Sequence, residues 1–300
     1  MSLIRKMNRQ QLERQNRSKQ VQGFTIIELL VTITIVLILA ALFFAGGGRF
    51  LESAKKVKEL SAGRTLGTAL NLYAAENFDS LPYGFDGTVS YLPLLDSSLS
   101  LGAVHGAAAS RYPWRLAQYF AYDFKSTTVL DDKQESFLND PYMLSLVPSL
   151  GMNAYGVGGY IEEGASAAEP FPGAIRRAAA AHKPASMVSF VSTRIDLGDG
   201  SGMTPGFHLA TPPKTPGGDW RASYDPDDAD SFGNVDLRYG GKAVVVFLDG
   251  STDLMTGEQL RDMRLWNNEA AALDDASYRP VDPKASQSLS RPTSGGRPRR

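Results

Sequence analysis

From Phe24 to Ala45 the chain carries an apolar run interrupted by one charge, Glu28, and by three threonines. A run of about 20 residues is long enough for a helix to cross a hydrocarbon core of about 30 Å. Inside lipid every backbone N–H and C=O must find its partner within the segment, so a helix is the conformation open to it despite its β-branched residues. Ahead of the run stand Arg5, Lys6, Arg9, Arg14, Arg17 and Lys19 against a single acid, Glu13. Basic residues on the N-terminal flank hold that side in the cytoplasm. A single-pass topology follows, with the N-terminus cytoplasmic and the bulk of the chain extracytoplasmic. The basic start is thus a topology signal, and no nucleic-acid partner is predicted from it.

Three kinds of segment begin this way. A secretory signal has an apolar core of about 7–15 residues followed by a small-x-small cleavage site. Here the run is longer and ends Phe43-Phe44-Ala45, with Phe where a small residue is needed. An uncleaved signal anchor, holding a binding or enzymatic domain that never polymerises, fits the length and the flanks. It gives no reason for Glu28, because a carboxylate at the edge of a membrane span asks for a partner.

The third possibility rests on Gly23 followed by Phe24-Thr25-Ile26-Ile27-Glu28-Leu29-Leu30 and the apolar run. This pattern resembles the N-terminus of type IV prepilins and of the pseudopilins of type II secretion systems. The resemblance implies cleavage after Gly23 by a membrane-bound prepilin peptidase, methylation of the new N-terminus at Phe24, and storage in the bacterial inner membrane before polymerisation. It implies further that Glu28 pairs with the N-terminal amine of a neighbouring pilin or pseudopilin subunit. Amine and carboxylate offset one another's desolvation in a low-dielectric bundle, which sets the register between subunits. The expected partners are therefore the membrane, the peptidase and other subunits of a pilus or secretion filament.

Beyond the apolar run, Leu66, Ala69, Leu70 and Tyr73 recur at helical spacing, so the helix is expected to continue to Asn77 and to bury that face. Glu52, Lys55, Lys56, Lys58 and Glu59 read as a solvated stalk. Gly46-Gly47-Gly48 allows either a hinge at the membrane surface or a helix that continues with poor local stability, each glycine costing about 1 kcal/mol against alanine. From residue 78 the texture changes to short apolar runs between Gly, Pro, Asp and Ser. Strands are expected at Met187–Thr193 and Ala243–Leu248, then a tight turn at Asp249-Gly250 and a return strand over Ser251–Met255. Tyr112–Tyr122 and Gly257–Asn268 read as helices. The predicted class is α+β, a pilin-like long helix on a small antiparallel sheet. The organisation expected is leader 1–23, membrane and spine helix 24–77, globular domain 78–273 and a disordered tail 274–300.

Residues 238–255, RYGGKAVVVFLDGSTDLM, are similar to the C-terminal strand-turn-strand of a large bacterial pseudopilin-like group whose pattern is histidine, nine residues, then Asp-Gly. Asp249 and Gly250 match, and Tyr239 stands where that group has histidine. Catalytic constellations are absent: His105, His182 and His208 have no metal-ligand spacing, and no GxSxG or phosphate-loop pattern occurs. The chain has no cysteine, which removes disulfides and thiol chemistry. It is therefore expected not to be an enzyme and to need no cofactor. Two acidic loops, with Asp196 and Asp199 in the first and Asp225, Asp227, Asp228 and Asp230 in the second, have the carboxylate density that calcium uses, although neither has EF-hand spacing and such runs also serve as solvated turns.

Overall fold

A computed structural model describes residues 24–95, 101–162, 171 and 173–281, apart from the side chains of 42 and 44–50. One helix, α1, runs from Ile26 to Glu76 over 51 residues. Its backbone is helical through Gly46, Gly47 and Gly48, so the helix continues where a hinge was the alternative. The chain divides into two compact units after Leu51. Helix α1 ends where Asp79 N–H bonds the Ala74 carbonyl at 2.8 Å, with Phe78 at φ 54° and Asp79 at φ 65°. Helices usually end in this left-handed conformation on glycine, which lacks the Cβ that makes it costly.

The second unit is α+β. Its main sheet has four antiparallel strands, β1 (Leu150–Met152), β2 (Val188–Ser192), β3 (Lys242–Phe247) and β4 (Thr252–Thr256), in the order β4-β3-β2-β1. Val245 of β3 lies opposite Val191 of β2, and Val244 opposite Leu254 of β4. Both faces are covered. Phe190, Val244 and Val246 pack with Leu66 and Leu70 of α1, while Val191, Ala243 and Val245 pack with Trp220, Phe232 and Trp266. Burial on both sides is why these strands read as continuous apolar runs rather than as alternation.

The spine helix meets the sheet through its glycines. A Cβ on Gly67 would stand 2.8 Å from the Cα of Gly250 and 3.1 Å from Val246 Cγ1. Gly250 sits at φ 88° in the β3–β4 turn, and Asp249 Oδ1 accepts from Ser251 N–H at 2.9 Å and from its hydroxyl at 2.6 Å. The Asp-Gly pair thus shapes a turn tight enough for α1 to rest on its backbone.

Residues 85–146 build a hairpin (Tyr91–Pro93 with Ala103–His105) and several short helices. Two expected helices are shorter than their apolar pattern suggested. Tyr112–Leu116 is α-helical and then tightens to 3₁₀ over Ala117–Phe120, which ends on Ala121 and Tyr122 at positive φ. Gly257–Asn268 holds only two 3₁₀ turns, because Asp262 is extended and caps the second through Arg264 N–H; the α-helix here is Asn268–Leu273. The tail begins docked rather than disordered. Met263 N–H bonds the Ala276 carbonyl at 3.0 Å, and Lys214 Nζ donates to the Ser277 carbonyl at 2.9 Å. The rest of the tail, beyond Val281, lies outside the described residues.

Candidate processing and assembly site

Helix α1 opens on a reciprocal cap. The Thr25 hydroxyl accepts from Glu28 N–H at 3.2 Å, and Glu28 Oε2 accepts from Thr25 N–H at 2.9 Å and from its hydroxyl at 3.0 Å. This is the capping box that Thr-x-x-Glu encodes, and the carboxylate also faces the positive end of the helix dipole. Both bonds fall on Oε2; Oε1 makes none among the described residues. Phe24, 82% exposed, and Ile26, 84% exposed, flank the cap, and the large apolar side chains from Ile27 to Leu39 are exposed as well. Gly23 lies outside the described residues. Among the described residues no helix is long and apolar enough to cross a membrane.

A second polar centre lies where α1 joins the sheet, and sequence reasoning placed it wrongly in solvent. Glu59 is 1% exposed. Its Oε1 accepts from the Ser192 hydroxyl of β2 at 2.6 Å, and its Oε2 from the Tyr239 hydroxyl at 2.5 Å. Arg238 Nη1 lies 3.7 Å from Glu59 Oε2, and Arg238 Nε lies 3.0 Å from Asp236 Oδ2. Burial would lower the Arg238 pKa, but Glu59 and Asp236 more than offset it and the net shift is upward. Burial and the Glu59 carboxylate together push the Tyr239 phenol well up, so it remains a donor. Lys55 and Lys58 stay exposed as expected, while reaching Asp131 and the Leu130 carbonyl, each at 3.2 Å. The signal was present in the spacing, since Glu59 shares the helical face of Ala62, Leu66 and Leu70. Tyr239, at the position where the pseudopilin-like pattern has histidine, thus bonds the spine helix.

The acidic loops do not converge. Asp196 and Asp199 close turns on Gly198 N–H at 2.8 Å and Ser201 N–H at 2.9 Å, in the loop joining Arg194–Asp196 to Met203–Pro205. In the second loop Asp225 and Asp228 accept from Asp227 N–H and Asp230 N–H, both at 3.0 Å. The carbonyls of Asp225, Pro226 and Asp228 turn inward onto the Arg194 guanidinium, with Pro226 O at 2.5 Å and Asp228 O at 2.8 Å. Arg194 is itself buried and lies 4.3 Å from the centre of the Tyr224 ring. In the second loop a guanidinium thus takes the inward carbonyls, and in both loops carboxylates accept from backbone N–H groups. Among the described residues no group of three or more His, Asp or Glu could hold a metal ion.

The histidines are dispersed. His208 alone is buried, between the Phe85 and Phe207 rings, and its Nδ1 has no hydrogen-bond partner among the described residues. Burial, with Arg111 adding to it, lowers its pKa to about 3, so the imidazole is neutral.

No curated protein sequence and no solved structure matches the chain significantly. Residues 18–44, which include Lys19, the glycine, the capping box and the apolar run as far as Phe44, match the prokaryotic N-terminal methylation motif, and the chain thus carries a prepilin-type cleavage and methylation segment.

Proposed function

We propose that this chain is a structural subunit of a type IV pilus-like filament or type II secretion pseudopilus. Prepilin peptidase cuts between Gly23 and Phe24, the Phe24 amine is methylated, and the subunit waits in the bacterial inner membrane with its globular unit outside the cytoplasm. The observation that carries this reading is the methylation motif at residues 18–44, with Glu28 at its expected place. The geometry of the cap supports it. Thr25 holds one carboxylate oxygen of Glu28 and leaves Oε1 for a further donor, the methylated amine of a neighbouring subunit. The exposed apolar side chains of α1 then pack against those of other copies. The globular unit contributes surface to the filament, not catalysis.

Mass spectrometry of the chain recovered from membranes tests the processing step. The expected product begins at N-methylated Phe24, and an intact leader would overturn the proposal. Glu28→Val should leave membrane insertion unchanged and lower the amount of sedimentable filament. Undiminished polymer would remove the pairing mechanism while leaving cleavage standing.

A further inference from the structure

The main sheet has two outer edges, and the chain itself covers the one at β1. There Met152 N–H bonds the His208 carbonyl at 2.9 Å, and Ala210 N–H bonds the Met152 carbonyl at 3.0 Å. Beyond β4 no strand follows among the described residues. An outer strand whose N–H groups are free is a template for a strand of another chain.

The hydrogen bonds of β3 decide which groups of β4 point outward. Val244 N–H donates to Ser192 Oγ at 2.8 Å, so it faces β2 and makes no ladder bond to Leu254, which lies opposite on β4. Lys242 N–H bonds the Tyr239 carbonyl at 3.2 Å, so Thr256, opposite Lys242, receives no ladder bond from it either. Bonded and unbonded positions alternate along an antiparallel pair, and the N–H groups of Leu254 and Thr256 therefore face away from the sheet. Both are already taken. Leu254 N–H donates to Asp253 Oδ1 at 2.7 Å, and Thr256 N–H to Gln259 Oε1 at 2.8 Å. Thr256 fixes that glutamine: its hydroxyl donates to Oε1 at 3.1 Å and accepts from Gln259 N–H at 3.3 Å. Aspartate is a poor strand residue, yet Asp253 stands exposed within β4, opposite Val245.

We infer that Asp253 and Gln259 guard the open edge of the sheet against strand addition, so that copies lying side by side do not pair through their sheets. A strand arriving at β4 finds its first donors occupied. To bond Leu254 N–H it must displace a charge-assisted hydrogen bond and take water from the Asp253 carboxylate. At Thr256 it must break the reciprocal bonds with Gln259. The guard acts on any two copies in contact, so it goes beyond the assembly reading above and does not depend on it. With the β1 edge covered by residues 208–210, no edge of this sheet is left open to another chain.

Asp253→Ala with Gln259→Ala removes both acceptors and leaves the β3–β4 ladder in place. For the full-length chain in detergent, sedimentation of this double variant should shift to larger species than the parent forms at the same concentration. Hydrogen exchange at Leu254 and Thr256 should slow in those species. Asp253→Asn keeps an acceptor oxygen and should sediment like the parent. Unchanged sedimentation of the double variant overturns the inference, as does association without slowed exchange at these two amides, which puts the contact elsewhere. Association of Asp253→Asn to the same extent overturns it as well, because charge alone would then hold copies apart. Should the double variant melt below its parent, Gln259→Ala alone carries the test, read as association with slowed exchange at Thr256; neither appearing overturns the inference.

Discussion

Glu59 and Tyr239 show how one buried carboxylate ties a helix to a sheet. Replacing Glu59 by Leu would leave the half-buried Tyr239 hydroxyl without its acceptor and Arg238 with Asp236 as its one carboxylate partner, at a cost of about 1–3 kcal/mol per unsatisfied group. Tyr239→Phe removes one hydrogen bond to a charged group, worth about 1.5–3 kcal/mol. Tyr239→His keeps a donor and should melt closer to wild type than Tyr239→Phe does, a difference that thermal denaturation of the two variants measures. His208 adds a pH dependence of known sign. Its pKa falls from 6.5 to about 3 on folding, so the unfolded chain binds a proton that the native state refuses. Stability is full above about pH 6.5 and is lost as pH falls towards 3, by about 1.4 kcal/mol per unit. His208→Phe should flatten that part of a denaturation-against-pH profile, and an unchanged slope would show that other groups set it. At this scale the sequence was legible where one residue carries its own signal. Glu28 stood out as an acid that asks for a partner, although the Thr25 cap three residues before it went unread. Glu59 has partners more than a hundred residues away, and its charge argued for solvent until Ser192 and Tyr239 were seen to satisfy it.

Among elements, α1 owes its close approach to the sheet to two glycines with different neighbours. At Gly67 the nearest obstacle is the Gly250 backbone; at Gly63 it is the end of a side chain, Val246 Cγ2 at 2.8 Å. Alanine gains about 1 kcal/mol of helix propensity at either site, while overpacking costs about 1–3 kcal/mol. Gly67→Ala should therefore lower the melting temperature more than Gly63→Ala, and the reverse order would mean that α1 slides to relieve the clash. At the other end of α1, Thr25→Val removes a cap worth about 0.5–2 kcal/mol; hydrogen exchange in detergent should speed at residues 26–28 and stay unchanged beyond Glu52. The long helix and the strands over 187–193 and 243–255 were legible because burial patterns and turn residues agree there. Tyr112–Tyr122 was not, since nothing local shows that Ala121 and Tyr122 adopt positive φ. The docked start of the tail was hidden for a related reason: its partners, Lys214 and Met263, are distant in sequence.

For the whole molecule, the α+β class followed from the order of its patterns, a long helix and then short strands. The two-sided burial of the sheet did not, because the apolar strands alone do not say which residues cover their second face; Trp220, Phe232 and Trp266 do so. The acidic loops were read as calcium sites or solvated turns; the guanidinium inside the second loop was missed because Arg194 enters from a neighbouring strand. Neither a chelator nor added calcium should shift the melting temperature, whereas Arg194→Met should destabilise by about 1–3 kcal/mol, leaving inward-facing carbonyls without a donor. By carrying a guanidinium on a covalent tether, this loop holds its inward carbonyls without drawing an ion from solution, so the surface that it offers to neighbours should not depend on the divalent cations around it.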